Sequence, residues 1–118
     1  MEVRISAQLD EILGEYVEHV KKVTAEEMRS VAKEGVQKLK ATSPVGKGKK
    51  AGRYASGWAL KAQGNSLVIY NRTDYQLTHL LEYGHDLQQG GRWEGKQHIE
   101  PVEKWANAEL PKRIEDNL

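Results

Sequence analysis

Hydrophobic residues recur at intervals of three and four through the first third of the chain. Leu9, Ile12, Leu13, Tyr16, Val20 and Val23 are followed by Met28, Val31, Gly35 and Leu39. That spacing places them on one face of an α-helix and predicts a helix over 6–42. Ser6 stands where an N-cap belongs, and Pro44 stops the helix from the far side. The phase slips between Val23 and Met28, where Thr24 and Glu27 have the spacing of a capping box. A bend or two abutting helices would both produce the slip; one continuous helix is the expectation. At 1.5 Å per residue such a helix runs on the order of 50 Å. A globule of this length has a radius of gyration of about 13–14 Å. One end of the helix is therefore expected to project, or to pack on a neighbouring subunit.

Further on the period shortens to two. Trp58, Leu60 and Ala62 alternate on one face, and NSLVIYN is rich in β-formers. The intervening QGN supplies a short turn, which predicts a hairpin over about 54–71. Trp58, Leu60, Leu67 and Ile69 should face the long helix and Leu80, with Tyr70 and Tyr75 also at inward positions. Thr73 or Asp74 can cap a short helix over 74–83, with Leu77, Leu80 and Leu81 inward and Gly84 at a left-handed C-terminal position. A third strand is expected near KQHIEP. Pro101 suits the first turn of a last helix, with Val102, Trp105, Ala108 and Ile114 on its inner face, and Pro111 should kink or restart it. The fold class is α+β: a long N-terminal helix on a small antiparallel sheet, a short middle helix and a C-terminal helix. The 118 residues suffice for one domain.

Composition narrows the chemistry. The chain has 38% hydrophobic residues and no Phe, against 30% charged, so the core is thin and partner chains are expected to help complete it. A net charge of +1 implies no global attraction to nucleic acid or membrane. The absence of cysteine removes disulfides, thiol catalysis and thiolate metal sites, and fits a reducing compartment. The opening MEVRISAQLDEIL is acidic and lacks a long apolar run, unlike a signal peptide. The longest strongly apolar run, LVIY, is far short of a membrane span. A soluble protein made in the cytoplasm is expected.

Charge is nevertheless divided by region. Residues 1–37 carry eight acids against five bases, whereas 38–53 holds Lys38, Lys40, Lys47, Lys49, Lys50 and Arg53 and no acid. The Gly-rich half of that stretch reads as a mobile loop, 43–53. Lys47, Lys49, Lys50 and Arg53 are its candidate phosphate contacts, since neutralising a DNA backbone needs charge and reach but no fixed geometry. A solvated connector explains the same residues. GKGKKAG is no Walker loop, because Gly-Lys-Ser/Thr is missing and the order is helix, loop, strand. His79, Glu82 and His85 lack the spacing of a zinc helix, and Ser56 in YASGW is not on a nucleophile elbow. No catalytic residue, metal site or cofactor is assigned. Trp93 sits in a polar, flexible stretch, 85–97, with Leu87. It is either folded back on the sheet or an interface anchor.

Three patches together resemble a known family, the small tail-component proteins of long-tailed phages, also described as head–tail joining, neck or minor capsid proteins. ATSPVGKGKKAGRYASGW is similar to that family's Ala-x-x-Pro-Val, basic or Gly-rich stretch and Leu/Tyr-x-x-Ser position. YNRTDYQLTHLLEYGH resembles its strand, Asn, Tyr and apolar-Glu-Tyr/Phe-Gly, and HIEPVEKW its entry into the last helix, with His98-Ile99 in place of Arg-Pro. The family's usual Thr-Gly after Pro-Val is displaced here by GKGKKAG. The resemblance implies a non-enzymatic virion subunit at the head–tail junction, forming a ring with other copies of itself, six being the candidate number. Implied partners are head-completion or stopper, tail-terminator and tail-tube proteins, with non-specific contact to genomic DNA in the channel and none to membrane. On that footing Leu87 and Trp93 become candidate assembly contacts, loose in the free subunit and ordered in the ring. The rival is a small nucleic-acid-binding module that reads no sequence, resting on 38–53.

Overall fold

A computed structural model describes residues 1–7 and 16–118. Strand β1 (Val3–Ile5) is followed by the long helix α1 (Tyr16–Thr42), a single helical turn α2 (Arg53–Ser56) and the hairpin β2 (Trp58–Gln63) and β3 (Ser66–Asn71). A 3-10 turn (Tyr75–Leu77) leads into α3 (Thr78–Tyr83). A two-stranded ribbon of β4 (His85–Asp86) and β5 (Arg92–Trp93) precedes α4 (Ile99–Asp116). The architecture is α+β, as the periodicities require.

Helix α1 is continuous across the phase slip. Thr24 is buried and its hydroxyl has no hydrogen-bond partner among the described residues, so the capping-box spacing is not used. The start of the helix, with Leu9, Ile12 and Leu13, lies outside the described residues. Ser6 and Ala7 are not helical, however, and the chain before them is a strand. β1 pairs antiparallel with β3, Val3 opposite Ile69 and Ile5 opposite Leu67, giving the order β1-β3-β2. The third strand of the sheet is thus at the start of the chain and not near KQHIEP. Val3 and Ile5 are buried while Arg4 is exposed, an alternation that three residues are too few to announce.

The hairpin has the expected pairing, Trp58 with Asn71 and Leu60 with Ile69, closed by Gly64-Asn65. Tyr54 to Ser56, predicted as its first residues, are helical instead. The core packs one face of α1 (Met28, Val31, Ala32, Val36, Leu39) on Trp58, Ile69 and the α4 residues Ile99, Val102, Ala106 and Leu110. Gly35 permits the approach: a Cβ there would lie 2.8 Å from the Ile69 side chain and 3.6 Å from Val102. Three inward assignments are corrected. Leu80 and Tyr75 are exposed and Ala108 faces solvent; α4 turns Ala106 and Leu110 to the core, one helical face away. Pro111 is accommodated within α4, which runs on to Asp116.

α4 lies antiparallel to α1. Lys38, Ala41 and Thr42 share a hollow with His98, Pro101 and Trp105, while Arg113 pairs with Glu34 and His19 Nε2 is 3.2 Å from the Leu118 carbonyl. The molecule is a rod, 63 × 23 × 23 Å, with a radius of gyration of 17.2 Å. That is well above the roughly 13–14 Å of a compact chain of this length. No helix among the described residues is long and apolar enough to cross a membrane.

Candidate assembly surface

One end of the rod is organised around a buried polar knot that the hydrophobic pattern did not reveal. Glu82 is 1% exposed, on the inner side of α3. Its Oε1 accepts from the backbone N–H groups of His98 (2.8 Å) and Ile99 (2.9 Å), and Oε2 from that of Glu100 (2.9 Å). A buried carboxylate is costly unless satisfied. Here it supplies the acceptors that the first turn of α4 lacks, where the helix dipole also favours negative charge. His98 Nδ1 lies 2.6 Å from the Lys96 carbonyl and 3.1 Å from Glu82 Oε1, so Nδ1 carries the hydrogen. Its Nε2 then accepts from the Tyr54 hydroxyl, 2.7 Å away. Burial, and after it the charges of Glu82 and Asp74, push the Tyr54 hydroxyl far above its ordinary pKa, which keeps it a donor.

The knot extends through edge-on rings and backbone. Tyr54 and Trp58 meet at 5.6 Å between centroids, and Tyr54 and His98 at the same separation. Trp58 Nε1 donates to Ser43 Oγ (2.8 Å), which in turn donates to the Leu39 carbonyl at the end of α1. Asn71 Nδ2 donates to the Tyr54 carbonyl (2.8 Å), and its Oδ1 accepts from Asp74 N (2.8 Å). Five separate stretches of chain are joined: the end of α1, α2, the hairpin, α3 and the entry to α4.

This knot fixes the loop that carries Trp93. Gly84 has φ 85° and ψ 176°, a region open essentially to glycine alone, and not the left-handed helical conformation expected of it. A Cβ on Gly84 would fall 2.2 Å from the Trp93 carbonyl oxygen, and one on Gly95 2.5 Å from Gly84 N. The two glycines therefore close the base of the loop backbone to backbone. Lys96 N donates to the Leu81 carbonyl and Arg92 Nη2 to that of Tyr83, each at 2.9 Å. His85 pairs with Trp93 and Asp86 with Arg92 in the ribbon. These contacts brace the base of the arm, the segment 85–97. Trp93 is half-buried against His85, with centroids 6.0 Å apart, and stands outside the core cluster. Leu87 at the tip is 46% exposed.

Val45, Tyr75, Leu80, Tyr83 and Leu87 are all large exposed hydrophobic residues. Four of them fall between positions 75 and 87, on the outer side of α3 and the arm after it. Val45 lies close by, in the wall of a hollow shared with Leu77 and Leu81. Beside it runs the basic turn, folded by Gly52 N to Val45 O (2.7 Å) and Ala51 N to Gly48 O (3.2 Å). Lys47, Lys49 and Lys50 are exposed with no acid in ion-pair range among the described residues. Arg53, grouped with them as a candidate phosphate contact, is instead engaged within the chain. It meets Asp74 at 3.3 Å and donates to the Thr73 carbonyl, so it fastens α2 to the entry of α3.

The residues weighed for catalysis are placed otherwise. Glu82 is spent on backbone N–H groups, and the Ser56 hydroxyl donates to the Arg53 carbonyl. No group of three metal-ligating side chains occurs among the described residues. The arrangement positions backbone and presents surface.

A family model described as "Bacteriophage HK97-gp10, putative tail-component" matches residues 4–84, well over half of the chain. The chain belongs to this family of phage tail components. No curated protein and no solved structure matches it. The match ends at Gly84, where the arm begins. Two of the three patches that carried the resemblance, 41–58 and 70–85, thus fall essentially within it, while HIEPVEKW lies beyond. All three converge on the knot: Ser43, Tyr54 and Trp58 from the first, Asn71 and Glu82 from the second, His98 from the third. The signal available in sequence was Glu82 itself, an acid between the apolar neighbours Leu81 and Tyr83.

Proposed function

We propose that this tail component is a ring-forming subunit of the phage neck, acting in head–tail joining or tail completion at the head–tail junction of the virion. The observation that carries the reading is the braced apolar end, with five large hydrophobic side chains left in solvent on a scaffold rigid enough to present them. Large apolar side chains gathered in solvent at one end mark interaction sites where they form a patch. Its occupants would be further copies of the chain and a stopper, terminator or tail-tube protein, with Leu87 and Trp93 at the contact. Deleting the gene is expected to leave heads and tails that do not join, or tails with faulty ends; normal joined particles would end this reading.

Lys47, Lys49 and Lys50, exposed and without acid partners among the described residues, favour a second role for the same subunit, facing DNA in the channel. They also support the rival reading, a module that binds nucleic acid on its own. Titration with duplex DNA at two salt concentrations separates these. A dedicated binder shows micromolar or tighter affinity that falls steeply with salt, whereas a channel-facing subunit binds weakly when isolated.

A further inference from the structure

The three-stranded sheet leaves one long edge unpaired. β2 pairs with β3 on one side and has no strand on the other among the described residues. At the opposite edge β1 has three residues and lies against α4. Gln63 and Ser66 close the hairpin as a hydrogen-bonded pair, and the pairs alternate from there. The backbone groups of Leu60 and Ala62 therefore point outward, away from β3. Neither N–H makes a backbone hydrogen bond outside the sheet among the described residues. Lys61, Ala62 and Gln63 are exposed. Along its six residues the edge has no proline, no acid and no break in register.

We propose that an extended segment of a second virion protein adds to β2 as a fourth strand, with an acidic side chain beside Lys61. The inference rests on the virion reading above and adds a contact separate from the α3 end. Hydrogen-bond geometry selects the form of the partner. A row of outward N–H and C=O groups at strand spacing is matched by another extended backbone. Lysine on an edge strand can blunt such pairing. Lys61, however, alternates with the core-facing Leu60 and lies on the sheet face away from the helices, its Nζ 4.7 Å from the centre of the Tyr70 ring. Charge then selects the occupant. Lys61 has no acid in ion-pair range among the described residues, whereas Arg4 has Glu2 at 3.8 Å. Pairing β2 with β2 of another copy adds a second lysine and no acid, while an acid on the incoming strand answers the charge. On the helix side Leu60, packed against the core and half-buried, offers that strand an apolar neighbour.

Amide exchange tests the pairing in the wild-type chain. Deuterium uptake is followed residue by residue by mass spectrometry, in the isolated full chain and in purified particles. In the isolated chain Leu60 and Ala62 should exchange faster than Lys61, whose N–H faces β3. In particles their exchange should slow by about a hundredfold or more. Slow exchange already in the isolated chain would show the edge covered from within, and equal rates in both samples would show it open. Either result overturns the proposal and leaves the neck reading standing; a chain absent from particles removes both. A water-soluble carbodiimide, which condenses an amine with a carboxylate in contact, then reads the occupant. Lys61 should be joined to an acid of a different protein. No such product, or Lys61 joined to another copy of this chain, would overturn the choice of partner.

Substitution carries the test to assembly. Ala62→Pro removes an outward N–H and none of the bonds to β3, as prolines on edge strands do. It should lower infectious yield by about tenfold or more, while Ala62→Thr, which keeps the N–H, should lower it by less than about twofold. Equal yields from the two variants would overturn the proposal. Urea unfolding of isolated Ala62→Pro shows whether that variant folds; if it does not, exchange in the wild-type chain decides alone.

Discussion

Glu82 is the residue on which most of the ordered end depends. Removing its carboxylate strands three backbone N–H groups and one face of His98 away from water, each a loss on the order of 1–3 kcal/mol. Glu82→Ala is therefore expected to lower stability by about 3 kcal/mol or more in urea unfolding. A loss below about 1 kcal/mol would mean that solvent replaces the carboxylate, contrary to its burial. Gly84→Ala tests the base of the arm separately. A Cβ there meets the Trp93 carbonyl at 2.2 Å, and the φ of 85° is itself unfavourable for alanine. The variant should lose about 2 kcal/mol or more and expose 85–97 to protease; an arm as resistant as the wild type's would contradict the bracing. Little of this was legible in sequence. Glu82 stood in the quoted apolar-Glu-Tyr-Gly pattern, but its partners are backbone groups sixteen to eighteen positions away, and no spacing rule encodes those. Arg53 was grouped with the lysines by charge, and only the fold brings Asp74 to it.

At the level of elements, legibility followed length. The long helix and the hairpin carry many periodic positions, and the helix from Tyr16 to Thr42 and the strands from Trp58 to Asn71 follow those periods. β1 has three residues and is decided by β3, which offers it an edge. α4 was found from Pro101: Val102 is in the core and Trp105 and Ile114 pack against it as expected, Ala108 alone of that face is exposed, and Ile99, Ala106 and Leu110 complete the buried side. The outer side of the α1–α4 contact is clamped by Arg113, which reaches Glu34 on α1 and, at 2.9 Å, Glu109 on its own helix. The Arg113 hydrogen bond holds the Glu34 carboxyl below its ordinary value of 4.5, with Arg113 and Lys38 charges adding to it and burial opposing. A carboxyl depressed in the folded state contributes stability that is present above the unfolded pKa and lost as pH falls through the folded one. Glu34→Gln should thus be less stable than wild type at pH 7, by under about 1 kcal/mol because the pair is solvent-screened. The gap should close as pH drops below 4.5. A gap that is constant with pH would assign the loss to packing instead.

The whole molecule is a rod with its chemistry at the ends. The long helix predicted a shape too extended for a compact globule, and the 17.2 Å radius of gyration agrees. What the sequence could not convey is where the exposed apolar residues gather, since Tyr75 and Leu80 sit at positions that local periodicity assigns to a core. Replacing Lys47, Lys49 and Lys50 together by Gln should leave unfolding free energy within about 0.5 kcal/mol of wild type, as exposed positions do, while infectious yield falls. Unchanged yield would remove these lysines from assembly and from DNA alike. The most direct test of the account is electron cryo-microscopy of the junction between head and tail in intact particles. It predicts a closed ring of copies of this chain there, with Trp93 and Leu87 at a contact. A junction without the chain, or copies of it that do not touch, would contradict the account.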